Sequence, residues 1–338
     1  MTKLAIIAMQ GSEHFADNIC ASLPEAVRIP STIYRFDSGE AKASIDESIR
    51  GTDLFILCDP FNYSVTFKNR GIEIPTLPDQ YIADIKRTIH AAAGKAQRIT
   101  VITPMLPGAR QHERRGRESM DASLFLDDMD NMNAGVITVD IHSTGIVNKM
   151  PKHGFDSLPI TDVFRSAFLR EGLDSMDTVM IAPDFGASQR NRRYIPEISP
   201  ELGVFYKRRG LAVKGGSNPI EEHVFLGNDI TGKRVIITDD ILSSGGSLVT
   251  SIRQLKDELH AGEIYIGVTF GLFAKGADMF DELYNEGKFN KIFTTNLTYI
   301  PEEIRKKPWI EILNASPLLV NAIQSIHYGH SLYANAMI

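Results

Sequence analysis

Apolar residues along the chain fall into two alternating rhythms. Short runs rich in β-branched side chains read as strands: Leu4 to Ala8, Leu54 to Cys58, Ile99 to Thr103, Val136 to Asp140, Val179 to Pro183, Val204 to Tyr206, Val235 to Thr238, Ile264 to Phe270 and Ile292 to Thr294. Several are apolar throughout, as strands covered on both faces of a parallel sheet are. Between them apolar residues recur every three or four positions, through Ile82, Ile85 and Ile89 and again through Leu248, Ile252, Leu255 and Leu259. That spacing predicts helices with one buried face, so these stripes belong to a core and not to a cofactor box. Strand and helix in alternation predict an α/β fold of mostly parallel sheets flanked by crossover helices.

The strip Asn148 to Pro159 carries Pro151, Gly154 and Pro159 and interrupts the alternation near mid-chain. It is predicted to be a linker, dividing the chain into domains at 1–155 and 156–338. A length of 338 residues suits two domains of ordinary size. The strands at Ile99 to Thr103 and Val235 to Thr238 each lead into a polar, Gly-containing loop and then an amphipathic helix, which suggests a duplicated unit.

Composition narrows the function classes. Hydrophobic residues make up 43% and charged residues 23%, an ordinary globular balance. A formal net charge of -6 and a pI near 5.9 argue against a nucleic-acid or anionic-membrane binder. The two cysteines, Cys20 and Cys58, are too few for a disulfide framework and point to a reducing compartment, the cytoplasm. The apolar opening, Leu4 to Met9, is too short for a signal segment and reads as a strand, and no apolar run approaches the roughly 20 residues of a membrane helix.

The strongest chemical signal is Gly232 to Ser247, GKRVIITDDILSSGGS, in which a buried strand ends in Asp239 and Asp240 before a Ser/Gly turn and a helix. Ligands of open parallel sheets bind at the C-terminal ends of strands. Gly245 and Gly246 can adopt positive φ, letting backbone N–H groups turn toward a phosphate at the helix N-terminus, with the hydroxyls of Ser243, Ser244 and Ser247 as further donors. The two carboxylates suit ribose hydroxyls or a divalent cation. An alternative reading needs no ligand: Asp and Ser here cap the helix.

This stretch resembles the phosphoribosyl-diphosphate-binding motif of phosphoribosyltransferases. Further segments, Phe36 to Glu40 (FDSGE), Ala109 to Glu118 (ARQHERRGRE), Ile137 to His142 (ITVDIH), Pro183 to Gly186 (PDFG) and Phe205 to Arg209 (FYKRR), resemble ribose-phosphate diphosphokinases in order and spacing over nearly the whole chain. The resemblance implies two phosphoribosyltransferase-like domains and transfer of the diphosphoryl group of ATP to ribose 5-phosphate. It assigns ATP binding to Phe36, Ser38, Gly39, Glu40, Arg110 and Gln111. The element containing Phe36 is lent by a neighbouring subunit, so a homo-oligomer, in the family a hexamer, is implied. Magnesium is assigned to His142 and Asp184, transition-state charge to Lys207 and Arg209, and ribose 5-phosphate to Arg209, Asp239, Asp240, Ser243, Ser244, Gly245, Gly246 and Ser247.

Each assignment suits its chemistry to a different degree. Guanidinium groups bind phosphate bidentately, and positioned cations neutralise the charge that spreads over non-bridging oxygens during phosphoryl transfer. The carboxylate of Asp184 is a better magnesium ligand than the imidazole of His142, because the hard ion prefers oxygen. Taken alone, a run such as Arg114, Arg115 and Arg117 is a solvated loop, and a phenylalanine such as Phe36 is core. The chain departs from the family's usual pattern at Asp37-Ser38, at His112, where Asp is usual, and at Ser243, also in place of Asp. With Gly245 making the loop less bulky, a larger acceptor such as ADP-ribose is conceivable. Two rivals are a phosphoribosyltransferase, against which the second domain counts, and a non-catalytic regulatory subunit, against which Lys207, Arg209, Asp239 and Asp240 count. There is no Walker loop, dinucleotide-binding glycine motif, zinc-protease motif or nucleophile elbow.

Overall fold

The computed structural model describes residues 2–114, 116–143, 145–146, 151–194, 197–199, 201–209 and 220–332, with the backbone alone at 207–209 and 220–223. The chain forms two compact units. The first comprises residues 1–159, 297–299 and 315–338; the second comprises 160–296 and 300–314.

The first unit opens with β1 (Lys3–Ala8), α1 (Glu13–Ser22) and β2 (Val27–Arg28). Two antiparallel hairpins follow on either side of a buried strand: β3 (Ser31–Arg35) with β4 (Ala41–Ile45), then β5 (Thr52–Leu57), then β6 (Thr66–Asn69) with β7 (Ile72–Pro75). The run is completed by α2 (Pro78–Ala92), β8 (Arg98–Ile102), α3 (Asp121–Asn131), β9 (Ala134–Val139) and β10 (Phe155–Leu158). Among the described residues six strands form a wholly parallel sheet in the order β10-β9-β8-β5-β1-β2. Helix α2 buries Tyr81, Ile85, Thr88, Ile89 and Ala92, the helical spacing expected from sequence.

The strip expected to be a linker is in part structure: residues 155–158 form β10, whose half-buried positions pair with Val136 to Val139 at the sheet edge. An edge strand exposes one side and therefore lacks the apolar run that marks a central strand. Residues 148–150 of that strip lie outside the described residues.

The second unit contains α4 (Thr161–Arg170), β11 (Thr178–Ala182), α5 (Phe185–Asn191), β12 (Glu201–Arg209), β13 (Ile220–Leu226) and β14 (Arg234–Leu242). Then come α6 (Gly246–Arg253), β15 (Ile264–Gly271), α7 (Asp278–Asn285), β16 (Lys291–Thr295), α8 (Glu302–Arg305) and β17 (Ile310–Leu313). Its seven-stranded sheet runs β13-β12-β11-β14-β15-β16-β17, parallel except for the antiparallel β12–β13 pair. An aromatic cluster around the fully buried Trp309, with Phe273, Phe280 and Phe289, packs one of its faces.

The last helix, α9 (Ser316–Tyr328), returns to the first unit. There Asp53 accepts hydrogen bonds from Nε and Nη2 of Arg98, its Oδ2 lies 2.8 Å from Nδ1 of His327, and Arg98 also donates to the Ile326 carbonyl at 2.9 Å.

Set side by side, the sheet orders repeat one plan, with β1, β2, β5, β8, β9 and β10 standing where β11, β12, β14, β15, β16 and β17 stand. The duplication suggested by the sequence is therefore present, but with another pairing. The counterpart of β14 is β5, and β8 corresponds to β15. Strand-loop-helix is common to every crossover of such a sheet, so local pattern could not choose between them.

Candidate active site

In the second sheet the chain leaves β11 toward β12 on one side and resumes in β14 on the other, so the C-terminal ends of β11 and β14 border a topological switch point. Asp184 follows β11 and N-caps α5, its Oδ1 accepting the Ala187 N–H at 2.9 Å. Asp239 and Asp240 lie near the end of β14, and the Asp240 N–H donates to Asp239 Oδ1 at 2.9 Å. Arg190, nearly two turns along α5 from Asp184, reaches back over both: its Nη1 is 3.8 Å from Asp239 and its Nη2 3.6 Å from Asp240. Burial, and then the adjoining Asp240 carboxylate, push Asp239 well above the usual carboxylate range, with Asp184 adding to the effect and Arg190 opposing it. Sequence reading missed Arg190. No local spacing marks it, since six residues on from Asp184 falls on another face of the helix; packing of α5 beside the end of β14 brings it onto the acids.

The Ser/Gly turn resolves into two different glycines. Gly245 has φ +79 and caps α6, and a Cβ there would lie 2.8 Å from Phe280 Cζ and 3.0 Å from Met279 Sδ. Gly245 is buried against the α7 helix; it does not enlarge the site, and the idea that it admits a larger acceptor loses its basis. Gly246 is the first helical residue, is absent from the positive-φ positions, and a Cβ on it would meet open space. Of the two glycines able to take positive φ, Gly245 does so and Gly246 does not. Ser244, Gly246 and Ser247 are exposed and Ser243 half-buried, so this turn presents its first-turn N–H groups to solvent at the end of the sheet.

In the first unit, Phe36 to Glu40 form the turn joining β3 and β4. The Phe36 N–H donates to Glu40 O at 2.9 Å, the Gly39 N–H to Phe36 O at 2.8 Å, and the Ser38 hydroxyl to Glu40 Oε2 at 2.9 Å. Phe36 is 48% exposed, with the Lys42 ammonium 5.9 Å from its ring, and so is not the core residue its type alone suggests. Arg110 and Gln111 are exposed on the loop beyond β8, where the Gln111 N–H donates to Gly108 O at 2.8 Å. Arg114 and Arg117 are exposed as well, and Arg115 lies outside the described residues. His142, beyond β9, is exposed, its ring 5.3 Å from that of His112.

The backbone of Lys207 and Arg209 belongs to β12, opposite His223 and Ile220 of β13, and their side chains lie outside the described residues. Among the described residues no three His, Cys, Asp or Glu side chains converge on a metal position. Asp184, Asp239 and Asp240 supply oxygen donors of the kind a hard cation such as magnesium prefers, without converging on one position.

The first unit's switch point holds a different acidic residue. Asp59, just beyond β5, is buried; its carboxylate accepts the N–H groups of Phe61 at 3.0 Å and Tyr299 at 2.8 Å and the hydroxyl of Thr298 at 3.3 Å. Burial raises it to about 6 despite these bonds. Where β14 presents acids to the crevice, β5 uses one to anchor residues 297–299.

Residues 4–132 match the family model described as the N-terminal domain of ribose phosphate pyrophosphokinase, and residues 218–334 match the phosphoribosyl synthetase-associated domain. The chain is 27% identical over 343 residues to ribose-phosphate pyrophosphokinase of Rhodopirellula baltica, covering 98% of each chain. It is 28% identical over 312 residues to that of Bacillus subtilis, covering 89% of this chain and 87% of the relative. The crystal structure of phosphoribosylpyrophosphate synthetase from Mycobacterium smegmatis superposes with a TM-score of 0.81 at 24% identity, over 97% of this chain and 100% of that one, which shows the same fold of two phosphoribosyltransferase-like domains. With both family models in order and together spanning more than two thirds of its length, the chain belongs to the ribose-phosphate pyrophosphokinase family.

Proposed function

We propose that the protein is a ribose-phosphate diphosphokinase, converting ATP and ribose 5-phosphate into AMP and 5-phosphoribosyl 1-diphosphate for nucleotide biosynthesis. The observation that carries this reading is the cluster of Asp239, Asp240 and Arg190 at a switch point, beside a turn whose backbone N–H groups open the α6 helix. Carboxylates accept hydrogen bonds from the ribose hydroxyls, and the turn Ser243–Ser247 takes the 5-phosphate on its N–H groups and hydroxyls. The sugar's 1-hydroxyl oxygen bonds to the β-phosphorus as its proton leaves; the bond from that phosphorus to the α,β-bridging oxygen breaks, and AMP departs. Lys207 and Arg209 meet the charge that develops on the transferred group, while Arg110 and Gln111 bind ATP and Phe36, Ser38, Gly39 and Glu40 its adenine. Asp184 and His142 are the residues assigned to magnesium, which would supply charge neutralisation of the triphosphate when bound.

The adenine-binding turn serves a neighbouring copy in this reading, so the working form is a homo-oligomer. Among the described residues no helix is long and apolar enough to cross a membrane; a cytoplasmic address without nucleic acid or membrane partners accords with the acidic charge and the two free cysteines. The test is a nucleotide assay with ATP, Mg2+ and ribose 5-phosphate. Stoichiometric AMP is expected, and release of ADP instead would overturn the reading.

A further inference from the structure

Strands β8 and β9 are parallel neighbours, with Ile102 opposite Ile137, so the loops that follow them leave the same edge of the first sheet. One loop carries His112 and the other His142, their ring centres 5.3 Å apart with planes at 68°. The His112 side chain is 22% exposed, with its Nε2 3.8 Å from Oε1 of Glu113. Its Nδ1 is buried and has no hydrogen-bond partner. A buried polar nitrogen in that condition is uncommon in a folded protein and asks for a function. Two residues before His142, the buried Asp140 holds φ at +42, a left-handed conformation unusual for a residue with a Cβ. Strain of this kind persists where surrounding structure fixes a loop for a task.

We propose that His112 and His142 jointly bind one divalent cation of borderline softness, of the Co2+ or Zn2+ class, and that His112 sets the cation preference of the site. Two imidazoles, each ~2.1 Å from a shared ion at a tetrahedral angle, hold their ring centres roughly 5 Å apart, close to the spacing of this pair. Imidazole suits such ions, whereas magnesium prefers oxygen, so a second histidine moves the site away from the hard cation. Both rings sit on loops beyond strand ends. Glu113, 3.8 Å from the outer nitrogen of His112, is near enough to accept from that nitrogen once the ring holds an ion, as carboxylates do for metal-bound histidines. The inference deepens the proposed reaction and rests on it for what the ion does, though not for whether the ion binds.

The test titrates metal-stripped, full-length protein with Co2+ in the absence of substrates, following visible absorption. Wild type should show ligand-field bands of imidazole-bound Co2+. His112→Asp and His142→Gln, checked for folding by circular dichroism, should each weaken Co2+ binding by about tenfold or more, and His112→Asp should shift the preference toward Mg2+. Independently of any variant, the Co2+ form of the wild type should show hyperfine-shifted N–H protons from two imidazoles. No Co2+ bands in the wild type, or bands and affinity unchanged in both variants, would overturn the proposal and leave the pair as edge-to-face ring packing. AMP production measured separately with Mg2+ keeps the two questions apart: a protein that makes AMP but fails the cobalt titration loses only this inference.

Discussion

Nη2 of Arg190 stands 3.6 Å from Oδ1 of Asp240, so a guanidinium only 11% exposed on α5 is held against a carboxylate only 4% exposed on β14. Neither is well placed alone. The cation lets two adjacent acids occupy the end of one strand, and the acids hold the cation's long side chain in a single arrangement.

Removing that cation is expected to act on sugar binding. In Arg190→Met the acids lose the Arg190 counter-charge, and KM for ribose 5-phosphate should rise about tenfold, on the order of 1.4 kcal/mol, with Arg190→Lys between the two. Steady-state kinetics decide it, and a variant with wild-type KM and a lowered melting temperature would reduce Arg190 to scaffolding.

Lys207→Ala and Arg209→Ala are expected to lower kcat by roughly 10³-fold while leaving ATP affinity within a few fold, because cations that meet developing charge act on the transition state. Single-turnover rates alongside equilibrium nucleotide binding separate the two effects. Retention of near-normal kcat in either variant would remove that residue from the mechanism.

The two glycines of the turn should respond in opposite ways to the same methyl group. Gly245→Ala meets Phe280 at 2.8 Å and keeps an unfavourable φ of +79, so a stability loss of about 2 kcal/mol is expected in denaturant unfolding. Gly246→Ala places its Cβ in open space and should leave stability nearly unchanged, while obstructing approach of a phosphate to the helix N-terminus. Equal destabilisation by both would contradict the assignment of separate roles.

Asp59 supplies a pH dependence of fixed sign. Its folded-state value of about 6 lies above the ordinary 3.8, so the unfolded chain loses this proton first as pH rises. The group's contribution to stability is therefore fully present below pH ~4, declines between ~4 and ~6 and is gone above that, an effect of about 2 to 3 kcal/mol. Asp59→Asn cannot ionise, so wild type should lose ground to it on going from pH 4 to pH 7.5. Parallel urea unfolding curves at the two pH values measure the difference; a constant gap would show that Asp59 titrates alike in both states.

The central strands were legible because burial on both faces leaves continuous apolar runs, and each of the nine runs read from sequence lies within or against a strand of the structure. Helix α2 was legible for the same reason, through one buried stripe. The hairpins β3–β4 and β6–β7 were not, since their half-buried and exposed positions carry no such run. Edge strand β10 hid within an apparent linker for the same cause.

At the site, the residue types of Asp239, Asp240 and the Ser/Gly turn, together with the resemblance of several spaced motifs, were enough to name a chemistry before any coordinates. Local sequence records what each segment must bury, and that specifies the α/β class and the strand ends at which ligands can sit. It does not record partners distant along the chain. Only tertiary structure brought Arg190 onto the acid pair, Phe280 against Gly245, His112 beside His142, and Thr298 and Tyr299 onto Asp59 across some 240 residues. Those contacts arise from the order in which strands join a sheet, and sheet order is settled by packing of whole elements rather than by any one element's own pattern.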